Sequence, residues 1–227
     1  RPNKIIYMLQ QSTLRFLKQL RSNNNKPWFD NHRQEYEKVK EDFINLVQQV
    51  LDNAARFDAN LQNLQHKNCV FRINRDVRFS ADKRPYKNNL AAYFNKDGKK
   101  GEGAGYYLHI EPGKSFIGVG IWQPLPEVLA KIRQEIDYNL PGFKLLLKNA
   151  KFKKHFFNGL VTENKLSRPP KGYNDDNPAI EWIKLKSFIV TCTISDADIV
   201  KKTFSKQVAD VFGAALPLVN FINKALD

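Results

Sequence analysis

One segment of the sequence has residue types and spacings that could bind an anion or move a proton. Between Phe71 and Lys87 it carries six basic and two acidic side chains. Three of the basic residues recur at every third position, as Arg72, Arg75 and Arg78. A charged surface helix usually pairs opposite charges four residues apart beside an apolar stripe, and this segment departs from that pattern. We therefore expect a binding site here rather than an ordinary solvated surface.

The apolar residues of this segment predict a strand that leads into a helix. Phe71 and Ile73 alternate with polar residues, and Ser80 or Asp82 can cap a helix that has Pro85 in its first turn. The buried stripe of that helix would consist of Tyr86, Leu90, Tyr93 and Phe94. The start of a helix presents free N–H groups and the positive end of a dipole, and nearby guanidinium groups add bidentate hydrogen bonds. Together these groups predict a site for phosphate or carboxylate.

A β-hairpin is predicted after the charged segment. The stretches 106–111 and 116–122 alternate between two kinds of side chain, and Pro112-Gly113 between them is a turn signal. One face of the hairpin collects apolar side chains for the core. The other face collects Tyr107, His109, Glu111, Phe116, Gly118, Gly120 and Trp122. The glycines fit either a ligand or a packed helix on this second face.

The predicted binding residues combine the charged segment with the second face of the hairpin. They are Arg72, Arg75, Asp76, Arg78, Asp82, Lys83, Tyr86, Tyr107, His109 and Trp122. Asp76 and Asp82 fit three roles: orienting an arginine, binding a metal or acting as a general base. Orientation is the commonest role for a carboxylate between arginines.

A metal site has little support in the sequence. His109 and Glu111 could supply two ligands from one strand face, but no second histidine or cysteine lies at a conventional spacing. We therefore predict no metal ligands, and the sequence identifies no cofactor.

The rest of the sequence predicts a single α+β domain over residues 1–227, with residues 1–11 as a candidate N-terminal extension. Apolar residues at steps of three and four predict one long N-terminal helix from Pro27 to Phe57. Two helices are predicted to close the chain, separated near Gly213 and Pro217. With the hairpin and a strand over residues 185–193, the expected fold is a small, mainly antiparallel sheet packed by several helices.

The composition indicates which partners the chain favours. Lysine and arginine total 37 against 23 acidic residues, a net charge of +14, which favours an anionic small molecule or nucleic acid. Since no uninterrupted apolar run reaches about 18 residues, we expect no membrane partner. Cys69 and Cys192 lack metal or redox spacing and are expected to be buried, reduced thiols. These features predict a cytoplasmic protein, and the sequence carries no signal for oligomeric state.

The charged segment resembles the hallmark of a bacterial family of conserved hypothetical proteins, classed as a domain of unknown function. The hallmark is Arg72-x-x-Arg75-Asp76-x-Arg78-Phe79 followed by Asp82-Lys83-x-x-Tyr86. Matches elsewhere, in the same order, are Leu17-x-x-Leu20, Asn24-Asn25-x-x-Trp28-Phe29, Tyr106 to Glu111, Lys131-Ile132-Arg133, Lys171-Gly172-Tyr173 and Leu185 to Phe188. At Lys171 the family more usually has arginine. The resemblance covers residues 12 to 224 and implies a compact domain with a shared site, without an established activity.

Four interpretations of the site stay open at this stage. The first is a domain, enzymatic or not, that binds a phosphate-bearing or carboxylate ligand through arginine, aspartate, lysine and tyrosine. The second is a nucleic-acid-binding protein that uses the same arginines for phosphates and the aromatic side chains for stacking. The third is a metal-dependent phosphoesterase built on Asp76, Asp82, His109 and Glu111. In the fourth, the motif is a structural network of ion pairs that binds nothing.

Overall fold

The structure, a computed structural model, describes residues 7–226. Residues 1–6, which form part of the candidate N-terminal extension, lie outside the described residues. The described chain has an α+β fold, as the sequence predicts. Its helices are α1 (Gln11–Ser22), α2 (Lys26–Asn31), α3 (Arg33–Ala54), α4 (His66–Cys69), α5 (Pro126–Tyr138), α6 (Leu140–Lys148), α7 (Ala150–His155), α8 (Ile180–Ile183), α9 (Asp196–Ile199) and α10 (Phe204–Lys224).

Four antiparallel strands form one sheet, in which each strand pairs with the next along the chain. They are β1 (Leu90–Phe94), β2 (Gly105–Ile110), β3 (Phe116–Ile121) and β4 (Phe188–Thr193). In the sheet register, Leu108 lies opposite Ala92 on one side and Ile117 on the other, so the three side chains share a face. This face packs against α3 and α10 and is buried. The predicted hairpin and its core face are therefore confirmed.

The long N-terminal helix forms, but it is shorter than predicted. The 22 residues of α3 carry the expected buried stripe, which includes Val39, Phe43, Leu46 and Val50. The helical pattern that begins near Pro27 is interrupted at His32, whose imidazole stacks on Trp28 with ring centroids 4.0 Å apart. The sequence pattern did not reveal this break because both helices keep the same spacing of apolar residues.

The last helix runs without a break through Gly213 and Pro217, so the prediction of two helices separated there was wrong. Proline costs about 3 kcal/mol inside a helix because it lacks an N–H and its ring crowds the carbonyl four residues earlier. Here α10 packs against both α3 and β3, and most of its apolar side chains are buried. Burial over this length outweighs the local cost of the proline.

The helix predicted to start at Ser80 or Asp82 does not form. Residues 71–89 are irregular, and the apolar run that follows is β1. A run of five apolar residues fits a helix or a strand equally, and its pairing with β2 decides the outcome here. The helix N-terminus expected to bind an anion is therefore absent from this segment.

Both cysteines are free thiols. Burial raises the pKa of Cys69 to about 12, and burial also raises the pKa of the half-buried Cys192. A thiol with a raised pKa carries little thiolate at neutral pH and is a poor nucleophile.

A search of residues 7–226 finds no helix that is both long and apolar enough to cross a membrane.

Candidate functional site

The charged segment forms an irregular β-ribbon beside β1, which we call the motif arm (residues 70–89). Its first stretch runs antiparallel to its last: the N–H of Arg75 donates to the carbonyl of Pro85 at 2.9 Å, and the N–H of Lys87 donates to that of Ile73 at 2.8 Å. At the base of the arm, the N–H of Phe71 donates to the carbonyl of Ala91 in β1 at 3.0 Å. Residues 75–85 close the ribbon as a loop, which we call the motif loop. The arm thus extends the sheet at its β1 edge instead of leading into a helix.

Asn24, in the turn between α1 and α2, holds the base of the arm. Its side-chain amide donates to the carbonyl of Tyr86 at 2.9 Å, and its oxygen accepts from the N–H of the same residue at 3.1 Å. The Tyr86 ring is buried and stacks on Phe29 with centroids 3.9 Å apart. Tyr86 therefore anchors the arm in the core, and its ring is not presented to solvent.

Asp82 pairs with two arginines of the motif loop. Its carboxylate accepts from Arg84 at 2.7 Å and from Arg75 at 2.6 Å. The Arg84 guanidinium, with help from its N–H and from Arg75, holds the pKa of Asp82 well below its usual range. The carboxylate is therefore ionised and acts as an acceptor that orients both arginines. Arg84 was missing from the predicted set, although its spacing from Asp82 repeats that of Arg78 from Asp76.

Asp76 and Arg78 form a second pair, near the tip of the loop. The Arg78 guanidinium donates to both carboxylate oxygens, at 3.0 and 2.7 Å, and this lowers the pKa of Asp76. Lys83 donates to the carbonyl of Val77 at 3.1 Å. The neighbouring Phe79 is 97% exposed. The motif loop is thus braced by its own ion pairs while it projects into solvent.

Two cations of the arm, Arg72 and Lys87, form no salt bridge with any residue between 7 and 226. The Lys87 ammonium lies 5.4 Å from the ring centroid of Phe71. Burial lowers the pKa of Lys87, and the nearby Arg72 lowers it further. Arg72 is close enough to Asp76 for its charge to contribute to the lowered pKa of that carboxyl. Two positive charges that repel each other and form no salt bridge are well suited to an anionic ligand.

The second face of the sheet carries a groove of about 890 Å³. Phe71 lines it on the β1 side, Tyr107 and Phe116 lie on the sheet, and Trp122 closes one end. Gly118 deepens the floor, since a Cβ added there would meet only the side chains of Phe116 and Tyr107, at 3.7 Å or more. The second face is therefore open to a ligand, one of the two outcomes that the sequence allowed.

Charge changes sign from one side of the groove to the other. Lys99 lines it near the motif arm, where its ammonium donates to the carbonyl of Val70 at 2.8 Å. Glu163 lines it on the opposite side, next to Val161, whose N–H pairs with the carbonyl of Ile189 in β4. Glu102 adds an acid from the loop before β2. The cations of the motif arm and Lys99 are thus on the side of Phe71, although Glu102 lies in the same loop as Lys99.

A chain of three hydrogen-bonded side chains lies along β2 on the same face. The Tyr107 hydroxyl is 3.1 Å from Nδ1 of His109, and Nε2 of His109 is 3.1 Å from a carboxylate oxygen of Glu111. Burial raises the pKa of Tyr107, with a smaller contribution from the Glu111 charge. Tyr107 also lines the groove, so this chain of hydrogen bonds has one member at the groove.

The structure divides the ten predicted site residues into groups. Tyr107 and Trp122 line the groove, and His109 is hydrogen-bonded to Tyr107. Arg72 is the sequence neighbour of the groove residue Phe71. Neither Arg72 nor His109 lines the groove itself. The other residues that do not line it are Arg75, Asp76, Arg78, Asp82 and Lys83, which lie in the motif loop, and Tyr86 in the core.

Five residues that matter here were absent from the predicted binding set: Asn24, Phe71, Arg84, Lys87 and Lys99. The spacing of Arg84 from Asp82 could have identified it, but the other four owe their positions to contacts with distant parts of the chain.

A second cavity, of about 790 Å³, lies between the loop that precedes β2 and the end of α10. Asn95 and Asn223 both donate to the carbonyl of Ala104 beside it, at 3.1 and 3.2 Å. None of the ten predicted residues lines this cavity. The predicted site residues that line a cavity, Tyr107 and Trp122, therefore line the groove and not this second cavity.

Within the part of the chain that the structure describes, no three His, Cys, Asp or Glu side chains converge as metal ligands. Asp76 and Asp82 point their carboxylates at arginines, and Glu111 is hydrogen-bonded to His109. The four residues of the phosphoesterase interpretation are thus not brought together. Asp76 and Asp82 each pair with arginine, and His109 pairs with Glu111.

The fold and the groove define a basic α+β protein with an open aromatic sheet face beside a cationic arm. The family described as conserved hypothetical protein (DUF2461) matches residues 12–221, and the chain belongs to this family. The description of the family assigns it no function. No curated protein and no solved structure matches the chain.

Proposed function

We propose that the groove binds a small molecule with a flat or apolar body and a phosphate or carboxylate end. The observation that carries this proposal is the position of Phe71. Its ring lines the groove and also lies 5.4 Å from the ammonium of Lys87, which has no acidic partner in the described chain. An apolar surface and an unpaired charge therefore meet at one edge of the site.

The dimensions of the groove favour a small ligand. Its volume of about 890 Å³ falls within the range of about 300 to 1,000 Å³ that is typical of small-molecule sites. Aromatic side chains and a glycine floor give it the apolar lining that such sites usually have, and a few polar groups lie at its rim. A flat or apolar ligand body fits between Phe71 and Trp122.

The charges define how the ligand lies. Arg72, Lys87 and Lys99 are on the side of the motif arm, whereas Glu163 is on the side of β4. An anionic group is attracted by the first side and repelled by the second. The acidic end of the ligand therefore points toward the arm.

Single-stranded nucleic acid is a second candidate, favoured by one observation. Trp122 is 55% exposed at the end of the groove, where a base could stack on it. However, the basic residues at 144–171, which would extend a nucleic-acid track, do not line the groove. We therefore place the small anionic ligand first.

The ion pairs of the motif loop have a structural role in this proposal. Asp82 with Arg75 and Arg84, and Asp76 with Arg78, shape the loop. Exposed pairs of this kind contribute little to global stability. Their contribution to the site is to engage the two carboxylates with arginines of the loop, so that neither carboxylate forms a salt bridge with Arg72 or Lys87.

The test is a calorimetric titration with three probes: lauric acid, lauroyl-coenzyme A and ATP. We expect at least one of them to bind, and we expect Arg72→Gln and Lys87→Gln each to weaken its binding about tenfold, because a hydrogen bond to a charged group is lost. Arg56→Gln is the matched control, since Arg56 is exposed and distant in sequence from the arm. The proposal would be refuted if all three variants lost the same affinity for the probe, or if none of the probes bound to the wild type.

The nucleic-acid candidate is tested with a thymidine oligonucleotide at increasing salt. If the backbone of a polymer is bound through several phosphates, affinity falls steeply with ionic strength. For the small-ligand proposal we expect weak oligonucleotide binding that Trp122→Ala leaves unchanged. Tight binding that falls with salt and needs Trp122 would favour nucleic acid instead.

A further inference from the structure

The hydrogen bonds along β2 set the direction in which a proton can move. Glu111 is an acceptor when ionised, so Nε2 of His109 carries the hydrogen that it receives at 3.1 Å. With Nε2 protonated, Nδ1 of a neutral imidazole is an acceptor, and it lies 3.1 Å from the hydroxyl of Tyr107. The Tyr107 hydroxyl therefore donates to His109. Hydrolases that activate a hydroxyl nucleophile have the same arrangement: the hydroxyl donates to a base, and a carboxylate orients that base.

The surrounding residues hold the three side chains in place. Phe116, opposite His109 on β3, stacks on the imidazole with centroids 4.8 Å apart. The His109 and Glu111 side chains are only 13% and 18% exposed. Ser115 accepts from the N–H of Glu111 at 2.9 Å, which fixes the end of the strand. A relay needs such fixed geometry, whereas a surface histidine would turn freely.

We propose that Tyr107, His109 and Glu111 form a proton relay that removes a proton from a ligand held in the groove. The ligand's X–H bond breaks and its proton passes to the Tyr107 oxygen, while the phenolic proton passes to Nδ1 of His109. The electron pair stays on X, and the imidazolium is stabilised by the Glu111 carboxylate. The relay extends the proposed function, since it needs a ligand in the same groove.

The relay accounts for how Tyr107 can react at neutral pH. Burial raises the pKa of Tyr107, so a free phenolate is disfavoured. The phenolic proton must therefore leave Tyr107 while the Tyr107 oxygen accepts the proton of the ligand. Three charged groups among the described residues lie near the relay. Glu111 directly follows β2, and Arg72 and Lys87 lie on the arm that packs against Tyr107 through Phe71. The neighbouring strands β3 and β4 contribute the uncharged Phe116 and Thr193.

The experiment measures the reaction of Tyr107 with benzenesulfonyl fluoride, a flat electrophile that needs no natural ligand. The phenolic oxygen bonds to sulfur, the S–F bond breaks, fluoride leaves with its electron pair, and the phenolic proton goes to His109. The rate is read from the modified Tyr107 peptide by mass spectrometry across a range of pH. Tyr138, which is 88% exposed, serves as the internal reference within the same sample.

The relay predicts a distinctive pH profile. The Tyr107 rate should depend less on pH than the Tyr138 rate, because His109 takes the phenolic proton of Tyr107 as the bond to sulfur forms, whereas Tyr138 is exposed to solvent. His109→Phe, which keeps an aromatic ring against Phe116, should slow the labelling of Tyr107 about 10²-fold. Glu111→Gln should slow it less and leave the Tyr138 rate unchanged.

The variants also separate this proposal from a purely structural role. If His109→Phe lowers the melting temperature, Glu111→Gln is used instead, because it keeps the size of the side chain. The labelling rates of Tyr107 in this variant and in the wild type are then compared. A Tyr107 rate that rises with pH in parallel with Tyr138, or one that neither variant changes, overturns the relay. Because the labelling uses no anionic ligand, its failure is distinct from a failure of ligand binding by Arg72→Gln and Lys87→Gln.

Discussion

The side chain of Asn24 pairs with the backbone of Tyr86, 62 residues further along the chain, in the way that a neighbouring strand would. It donates to the carbonyl of Tyr86 at 2.9 Å and accepts from its N–H at 3.1 Å. The same amide also donates to the side chain of Asn88 at 2.9 Å. This contact joins the turn between α1 and α2 to the base of the motif arm.

Asn24→Ala should destabilise the protein by about 1 to 3 kcal/mol, because it leaves the N–H and the carbonyl of Tyr86 without their partner. The measurement is the free energy of unfolding in urea. Asn23→Ala is the matched control, since Asn23 is exposed and its side chain bonds only to its own helix, at the carbonyl of Gln19. Equal effects of the two substitutions would contradict the anchoring role of Asn24.

Stability should depend on Asp82 at low pH. Its pairing with Arg84 and Arg75 lowers the pKa of the carboxyl in the folded state, so the stabilisation is present above the unfolded-state pKa of about 3.9 and is lost as pH falls through the lower folded-state value. The melting temperature of the wild type should therefore fall below about pH 4 more than that of Asp82→Asn. The effect is small because the pair is exposed. Asp176→Asn, in an exposed loop, should follow the wild type.

Gly118→Leu should block the groove without unfolding the sheet. A Cβ at this position meets side chains only at ordinary contact distance, 3.7 Å or more, so the added side chain projects into the groove. We expect ligand affinity to fall more than about tenfold while the melting temperature changes little. Thr193→Leu adds bulk on the same face beside Phe116 but outside the groove lining, and should leave affinity unchanged. Binding that survives Gly118→Leu would place the ligand elsewhere.

Gly120→Ala should destabilise the fold, in contrast to Gly118→Leu, which should leave the melting temperature nearly unchanged. Gly120 has a φ of 125°, and a Cβ there would lie 1.9 Å from the carbonyl oxygen of Phe188 in β4. We expect a cost of at least about 3 kcal/mol from strain and clash. Gly118→Ala, two residues earlier, is the control and should cost less than about 1 kcal/mol. Denaturant unfolding of the pair gives the comparison.

The hairpin of β2 and β3 could be predicted because its signals are local. Alternation along Tyr106 to Glu111 and the Pro112-Gly113 turn determine which side chains share a face, and the register agrees. The groove residues Tyr107 and Trp122 followed from the same alternation. The long helix α3 was also predictable from its apolar stripe, apart from the break at His32.

The motif arm could not be predicted in the same way. Leu90 to Phe94 is a short apolar run, and only its pairing with β2 makes it a strand. The arm is held by Asn24, far away in sequence, and this contact places Phe71 at the groove while the motif loop turns outward. The charged pattern predicts a site in this part of the chain, but which cations are paired depends on the geometry of that loop.

The most direct test of the account is a crystal structure of the protein grown with lauroyl-coenzyme A. The account predicts electron density for the ligand in the groove, with its apolar part against Phe71, Tyr107 or Trp122 and an anionic group within hydrogen-bonding distance of Arg72 or Lys87. Density for the ligand in the second cavity, or in the groove with its anionic groups turned toward Glu163, would contradict it.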